Sequence, residues 1–132
     1  MTTITTIIPV KNGAAFIADA LASIDRQTTV PDEILVVDDG SSDNTVDIIQ
    51  EAGKSNPAIR LLNGPQMGPG PARNVALSQA RGEIITFLDA DDLWPADKLQ
   101  VQLARLNNTP RVDVVSGFIR YFDKLSREQL EP

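Results

Sequence analysis

The sequence predicts a three-layer α/β/α fold on a mostly parallel sheet, and three observations carry that expectation. Short β-branched runs alternate strictly with amphipathic helical stretches, in the order β-α-β-α-β-α-β-α-β. Strict alternation with short connections favours a parallel sheet with helices on both faces. The runs are apolar almost throughout, as expected of strands buried on both sides. Turns rich in Asp, Gly and Asn follow several runs, where such a sheet presents its carboxyl ends.

The first run, Ile4 to Val10, is β-branched and ends at the turn signal Asn12-Gly13. Ala14 to Gln27 predicts a helix, because Ile17, Leu21 and Ile24 fall at i, i+4 and i+7. Ile34 to Val37 is the second strand. Asp38-Asp39-Gly40-Ser41-Ser42-Asp43-Asn44 combines a turn with helix-capping residues, Ser42 or Asp43 serving as cap. Thr45 to Ala52 is the second helix, with Gly53 as its stop. Ala58 to Leu62 is a short third strand. Asn63 to Pro71 holds three Gly and three Pro in nine residues and predicts a loop, with Pro71 opening a helix to about Arg81. Gly82 ends that helix. Glu83 to Leu88 is the fourth strand and Asp89-Ala90-Asp91-Asp92-Leu93-Trp94 the loop after it, with Trp94 as a core lid. Asp92 reads as a cap for a helix opened by Pro95, in which Leu99, Leu103 and Leu106 form one stripe. Val112 to Ile119 predicts a fifth strand, and 123–132 a polar tail with the character of a frayed helix.

Composition bounds the rest. A chain of 132 residues supports one domain, 1–132, burying roughly two thirds of its unfolded surface. Twelve Lys and Arg against eighteen Asp and Glu give a net charge of −6, the wrong sign for a nucleic-acid footprint. The absence of Cys and His excludes disulfides, thiolate zinc sites and imidazole catalysis from this chain. No apolar run approaches the ~20 residues of a membrane span. The N-terminus lacks a signal-like pattern, so the cytoplasm is the expected location, with the inner face of the membrane as a peripheral alternative. Chemistry in such a chain falls to carboxylates, oxygen-bound metals, Lys, Arg and hydroxyls.

Three strands deliver polar groups to the carboxyl edge: the first Pro9-Val10-Lys11-Asn12-Gly13, the second Asp38-Asp39, the fourth Asp89-Ala90-Asp91-Asp92. Residues two apart on an extended segment point the same way, so Asp89 and Asp91 can face one hard cation, Mg²⁺ or Mn²⁺. Too few ligands are present for a closed calcium cage, and turn formation is the bland alternative. One of Asp38 and Asp39 is left for a ligand once the helix cap is assigned, as an acceptor for base N–H or ribose hydroxyls. Arg73, in the first turn of the third helix, offers a phosphate-matching fork beside a Gly-rich helix start. Lys11 is a further phosphate or base-edge partner. Neither GxxxxGK(S/T) nor a complete GxGxxG is present.

Taken together, Pro9-Val10-Lys11-Asn12-Gly13, Val37-Asp38-Asp39-Gly40-Ser41-Ser42-Asp43-Asn44-Thr45, Gly70-Pro71-Ala72-Arg73-Asn74 and Asp89-Ala90-Asp91-Asp92 closely resemble, in order and spacing, the family 2 glycosyltransferases of GT-A fold. The resemblance covers about residues 3–122. It implies a Rossmann-like nucleotide-binding half, a nucleotide-sugar donor, most often UDP-linked, and Mn²⁺ or Mg²⁺ on the diphosphate. It places Pro9, Val10, Lys11 and Asn12 along the base pocket, Asp39 on uracil with Asp38 nearby, and Arg73 at the base or phosphates. Asp89 and Ala90 fall near the ribose, and Asp91 on the metal of the DxD motif, with Asp89 beside it. Lys11 departs from the Tyr that the family often carries there. The chain is also shorter than family catalytic domains, so the acceptor site and general base are expected to lie outside it, leaving the catalytic base unassigned. The acceptor, a glycan, lipid or protein, is then unspecified, within cell-envelope polysaccharide biosynthesis as the expected setting. An abrupt stop after the fifth strand predicts an open sheet edge and a homodimer. The alternative reading is a nucleotide-binding module without turnover. A sugar-nucleotide pyrophosphorylase ranks last, because the Gly-rich, Arg- or Lys-bearing loop it needs after the first strand is absent.

Overall fold

A computed structural model describes residues 2–122. Its elements run β1 (Ile4–Val10), α1 (Ile17–Asp25), β2 (Glu33–Asp38), α2 (Thr45–Ser55), β3 (Ile59–Asn63), α3 (Pro69–Leu77), β4 (Ile84–Phe87) and α4 (Lys98–Asn108). The four strands form one all-parallel sheet in the order β3-β2-β1-β4. Every residue of β1 and β2 is buried, which accounts for their largely apolar runs. On one face, Ile7, Leu35 and Val37 pack with Ala72 and Ala76 of α3 in a core cluster. Small residues on α3 let its backbone approach the sheet. The alternate residues Ile8, Ile34 and Val36 are buried as well, so both faces of the central strands are covered.

The chain groups into two compact units, one built on the segments through Ala22 and Pro31–Leu93, the other on Ser23–Val30 and the segment from Trp94. The first holds the whole sheet. In the second, the Gln27 side chain donates to Pro95 O (2.6 Å) and accepts from Leu99 N (3.1 Å), tying α4 to the preceding turn. Trp94 is buried, and the Lys98 ammonium lies 4.1 Å from its ring centroid. Burial pushes the Lys98 amine below the usual lysine range.

Several boundaries differ from the sequence expectation. The helix expected from Ala14 starts at Ile17, because Gly13 O takes the amides of both Phe16 and Ile17 in a preceding turn. Gly53 does not stop α2, which continues to Ser55 and closes with Asn56 N on Ala52 O. The helix expected from Pro71 begins at Pro69 and ends at Leu77, not Arg81. Past its end, Arg81 N and Gly82 N find acceptors on the sheet, Glu33 Oε2 and Thr5 Oγ1, instead of helical carbonyls. Asp92 caps no helix: α4 starts at Lys98, with Asp97 in the cap position. The fifth strand is the largest correction. Residues 112–122 carry no regular secondary structure, and Val114, Phe118, Ile119 and Tyr121 are exposed. β-propensity describes fit to a neighbouring strand, and among the described residues nothing pairs with this segment. The tail expected over 123–132 lies outside the described residues.

Candidate functional site

A recess of about 320 Å³ opens at the carboxyl ends of β1 and β4, lined by Pro9 to Gly13, Phe16, Pro69, Arg73 and Asp89 to Asp91. Its volume is at the lower end of small-molecule sites. Eight of the ten sequence-selected positions meet here: Pro9, Val10, Lys11, Asn12, Arg73, Asp89, Ala90 and Asp91. They arrive from three separate elements, which the parallel order β1-β4 and the packing of α3 bring to one edge.

The wall that follows β1 is fixed from outside itself. Asn12 has a left-handed backbone (φ 51°), which turns the chain out of the strand. Its amide donates to Ser41 Oγ (2.8 Å), and its Oδ1 accepts from Ser42 N (2.7 Å). Gly13 N donates to Thr45 Oγ1 (2.9 Å) and Ala14 N to Asp43 Oδ2 (3.2 Å). Asp43 is held below the usual carboxylate range, first by the Thr45 hydroxyl and then, against some desolvation, by backbone amides. The Ser/Asp-rich turn after β2 thus braces the turn after β1.

Asp38 and Asp39, the other two selected positions, lie at the end of β2 outside the recess lining. Asp39 is buried, and both its oxygens are engaged: Oδ1 accepts from Gln66 N (2.7 Å) and Oδ2 from Gly68 N (2.8 Å). Its own amide donates to Val10 O (2.8 Å). It therefore latches the loop between β3 and α3, where Gln66 (φ 58°) and Gly68 (φ 97°) both take left-handed backbones. Asp38 differs. Its Oδ2 accepts from Ser41 N at 3.2 Å, while its buried Oδ1 has no hydrogen-bond partner among the described residues. A buried carboxylate oxygen without a donor carries a desolvation penalty that an N–H or O–H from outside would relieve.

The charged wall consists of Arg73, Asp89 and Asp91. Arg73 Nη2 lies 2.6 Å from Asp89 Oδ1, with the two side chains 31% and 53% exposed. Next to them the Asp92 carboxyl is pushed above its usual range, first by desolvation and then by the charges of Asp91 and Asp89. With three carboxylates, Asp89, Asp91 and Asp92, against the one guanidinium of Arg73, this loop keeps an excess of negative charge. No cluster of three or more Asp or Glu able to cage a metal occurs among the described residues. The donor set suits a hard cation held by one or two carboxylates with further oxygens from a ligand.

The helix start contributes less than its sequence suggests. α3 has Pro at positions 69 and 71, neither carrying an N–H, and Ala72 N is already spent on Gly68 O. The Gly70 amide is what remains of the first turn, so an anion at this end meets few backbone donors and depends largely on side chains. Phe16 and Pro69 line the recess without having been singled out from the sequence. An aromatic in the first turn of an amphipathic helix reads as core, yet Phe16 is 54% exposed.

A parallel sheet with this charged recess at its carboxyl edge is a Rossmann-like domain of the GT-A type. The mannosyltransferase PcManGT from Pyrobaculum calidifontis, solved in complex with GDP-Man and Mn²⁺, shares it with a TM-score of 0.75 and 32% identity, over 84% of this chain and 34% of that one. Staphylococcus aureus TarS 1-349, solved in complex with UDP-GlcNAc, matches with a TM-score of 0.71 and 33% identity, over 80% of this chain and 31% of that one. In sequence, the chain is 42% identical over 101 residues to the Escherichia coli UDP-Glc:alpha-D-GlcNAc-diphosphoundecaprenol beta-1,3-glucosyltransferase WfgD, over 76% of this chain and 39% of the relative. The sequence profile of Glycosyl transferase family 2 matches residues 5–131, and the chain belongs to that family. It spans about two fifths of the length of such relatives. No helix of the described residues is long and apolar enough to cross a membrane.

Proposed function

We propose that this chain forms the donor-binding part of a glycosyltransferase, holding a nucleotide diphosphate sugar, UDP-linked in the first instance, whose sugar passes to a glycan, lipid or protein acceptor. The observation that carries this reading is the convergence of Pro9 to Asn12, Arg73 and Asp89 to Asp91 on one recess at the carboxyl edge of the sheet. Family membership supports the reaction class, and the UDP-GlcNAc bound to TarS supports the donor class. The name of the Escherichia coli relative, which acts on a diphosphoundecaprenol-linked sugar, makes a lipid-linked glycan the first acceptor to try. A homodimer is the expected assembly, and light scattering at high concentration that shows a monomer would count against it.

Asp38, with its unpartnered buried oxygen, is the better candidate for the base N–H contact, and Asp39 is the positioning residue that holds the 66–68 loop. Asp91, with Asp89 beside it, would hold Mn²⁺ or Mg²⁺, which fits the unbalanced negative field at Asp92. When bound there, the cation supplies charge neutralisation for the departing diphosphate. Arg73 lends positive charge to the same wall and orients Asp89.

The test is calorimetric titration of UDP, with and without Mn²⁺, on the wild type and on Asp91→Ala. Binding enhanced by Mn²⁺ and weakened by Asp91→Ala is the expected result, and sugar-nucleotide hydrolysis is then assayed. Folded wild-type protein that ignores UDP with and without Mn²⁺ would overturn the reading.

A further inference from the structure

We infer that Lys11 is the side chain through which this recess contacts the donor's diphosphate directly, beside the cation proposed for Asp91. The inference rests on the donor-site reading above and follows from an accounting of charge. The recess is lined by two cations, Lys11 and Arg73, and two anions, Asp89 and Asp91. Arg73 is committed to Asp89 at 2.6 Å, and that pair largely neutralises itself. Asp91 is of the wrong sign to touch a phosphate directly and meets one only through a cation that it holds. Backbone donors at the start of α3 are few, because positions 69 and 71 are prolines, Ala72 N bonds Gly68 O and Gly68 N bonds Asp39, which leaves the Gly70 amide. A diphosphate in this recess would meet one uncommitted cation, Lys11, which is exposed and takes part in none of the ion pairs among the described residues.

Position and chemistry agree with that role. Lys11 stands on the turn whose next three residues are pinned by Ser41, Ser42, Thr45 and Asp43. Its Cα is thus fixed while its four-carbon stem is free to swing, which suits a point-charge contact to phosphate oxygens. The apolar part of the lining, Pro9, Val10, Phe16 and Pro69, offers surface to a ring and nothing to an anion. A ligand with an aromatic end and an anionic end therefore has complementary parts here, and Lys11 is the part that reads charge.

The test compares uridine, UMP and UDP by calorimetry on the wild type, Lys11→Gln and Lys11→Arg, in low-salt buffer with and without Mn²⁺. Lys11→Gln is expected to weaken UDP by about tenfold or more, the loss of a charge-assisted contact, and UMP by less. Uridine should change by less than about twofold, and Lys11→Arg should recover most of the UDP affinity, since either cation serves. Thermal melting of the variants should match the wild type, because Lys11 is exposed. Equal losses for uridine and UDP would overturn the inference and assign Lys11 to the base. Unchanged UDP affinity in Lys11→Gln would overturn it and return the phosphates to Arg73. A folded wild type that binds none of the three would remove both the inference and the donor-site reading, whereas UDP binding that is indifferent to Lys11 removes the inference alone.

Discussion

Glu33→Gln tests whether the sheet is held at the end opposite the recess by one buried carboxylate. Glu33 opens β2 and is buried. Its Oε2 accepts from Thr5 Oγ1 (2.8 Å) and Arg81 N (3.0 Å), and its Oε1 accepts from Arg60 Nη1 (2.5 Å). Burial raises its pKa, but the Arg81 amide, the Thr5 hydroxyl and the Arg60 guanidinium outweigh that and leave it below the usual value. Glutamine keeps the shape and one acceptor. Its NH₂ then faces either the Arg60 guanidinium or the Arg81 amide, and donor meets donor. Losing one charge-assisted bond costs about 1.5–3 kcal/mol, and complete removal of a buried partner about 3–5 kcal/mol. About 3 kcal/mol is the expected loss, which for a chain of this size lowers Tm by about 10 °C.

The assay is thermal melting of both proteins across pH. A folded-state pKa below the unfolded value means that this stabilisation is present above the model-peptide value of 4.5 and is lost as pH falls through the folded pKa. The gap between wild type and variant should therefore be full near pH 7 and narrow at about pH 3. Nucleotide affinity of the folded variant should be unchanged, since Glu33 lies roughly 17 Å along β2 from Asp38. Equal melting temperatures near pH 7, or a gap that persists unchanged into acid, would refute the reasoning.

Other expectations follow from single contacts. Asp39→Ala strips the acceptors from Gln66 N and Gly68 N, so UDP affinity should fall by about tenfold with little loss of sheet structure, read by calorimetry and circular dichroism. Asp38→Asn keeps size but replaces the unpartnered Oδ1 or its neighbour with an amide, and should weaken uridine as strongly as UDP. Gly82→Ala places a Cβ 2.5 Å from Thr5 N and 2.8 Å from Ile4 C, backbone atoms of a central strand, so it should destabilise by about 1–3 kcal/mol in denaturant melts. Arg73→Met frees Asp89 beside Asp91 and deepens the negative field, so direct Mn²⁺ titration should show equal or tighter metal binding, whereas UDP alone should bind more weakly.

β1 and β2 were legible because their residues are buried on both faces, which leaves a largely apolar run, whereas the half-buried β3 and β4 were read from short apolar runs between turn signals. Segment 112–122 has the same kind of residues and forms no strand, because a strand also needs a neighbour, and no local pattern encodes one. The end of α3 was misjudged for a related reason: Arg81 and Gly82 are drawn off by acceptors 48 and 77 positions away. At the site, the charged side chains could be read from the sequence, since Asp38-Asp39 and Asp89 to Asp91 fall at strand ends and Arg73 near a helix start. Their division of labour could not. Asp38 and Asp39 are chemically identical in the sequence, and only the path of the 64–68 loop decides that one is engaged on both oxygens and the other is not. Two prolines in one helical turn were visible, but their effect on anion binding emerges only once the helix is known to start at Pro69.

The bracing of the Lys11–Ala14 turn by residues 41–45 makes the recess a late product of assembly. Four amide and side-chain bonds cross a sequence separation of about thirty residues, and none can form before β2 lies against β1. A chain that has made only β1 and α1 has every residue of that wall and no wall. The amides of Asn12 and Gly13, though they belong to a surface loop, should then resist hydrogen exchange about as long as the β1–β2 ladder does, and lose protection with it in a single cooperative opening.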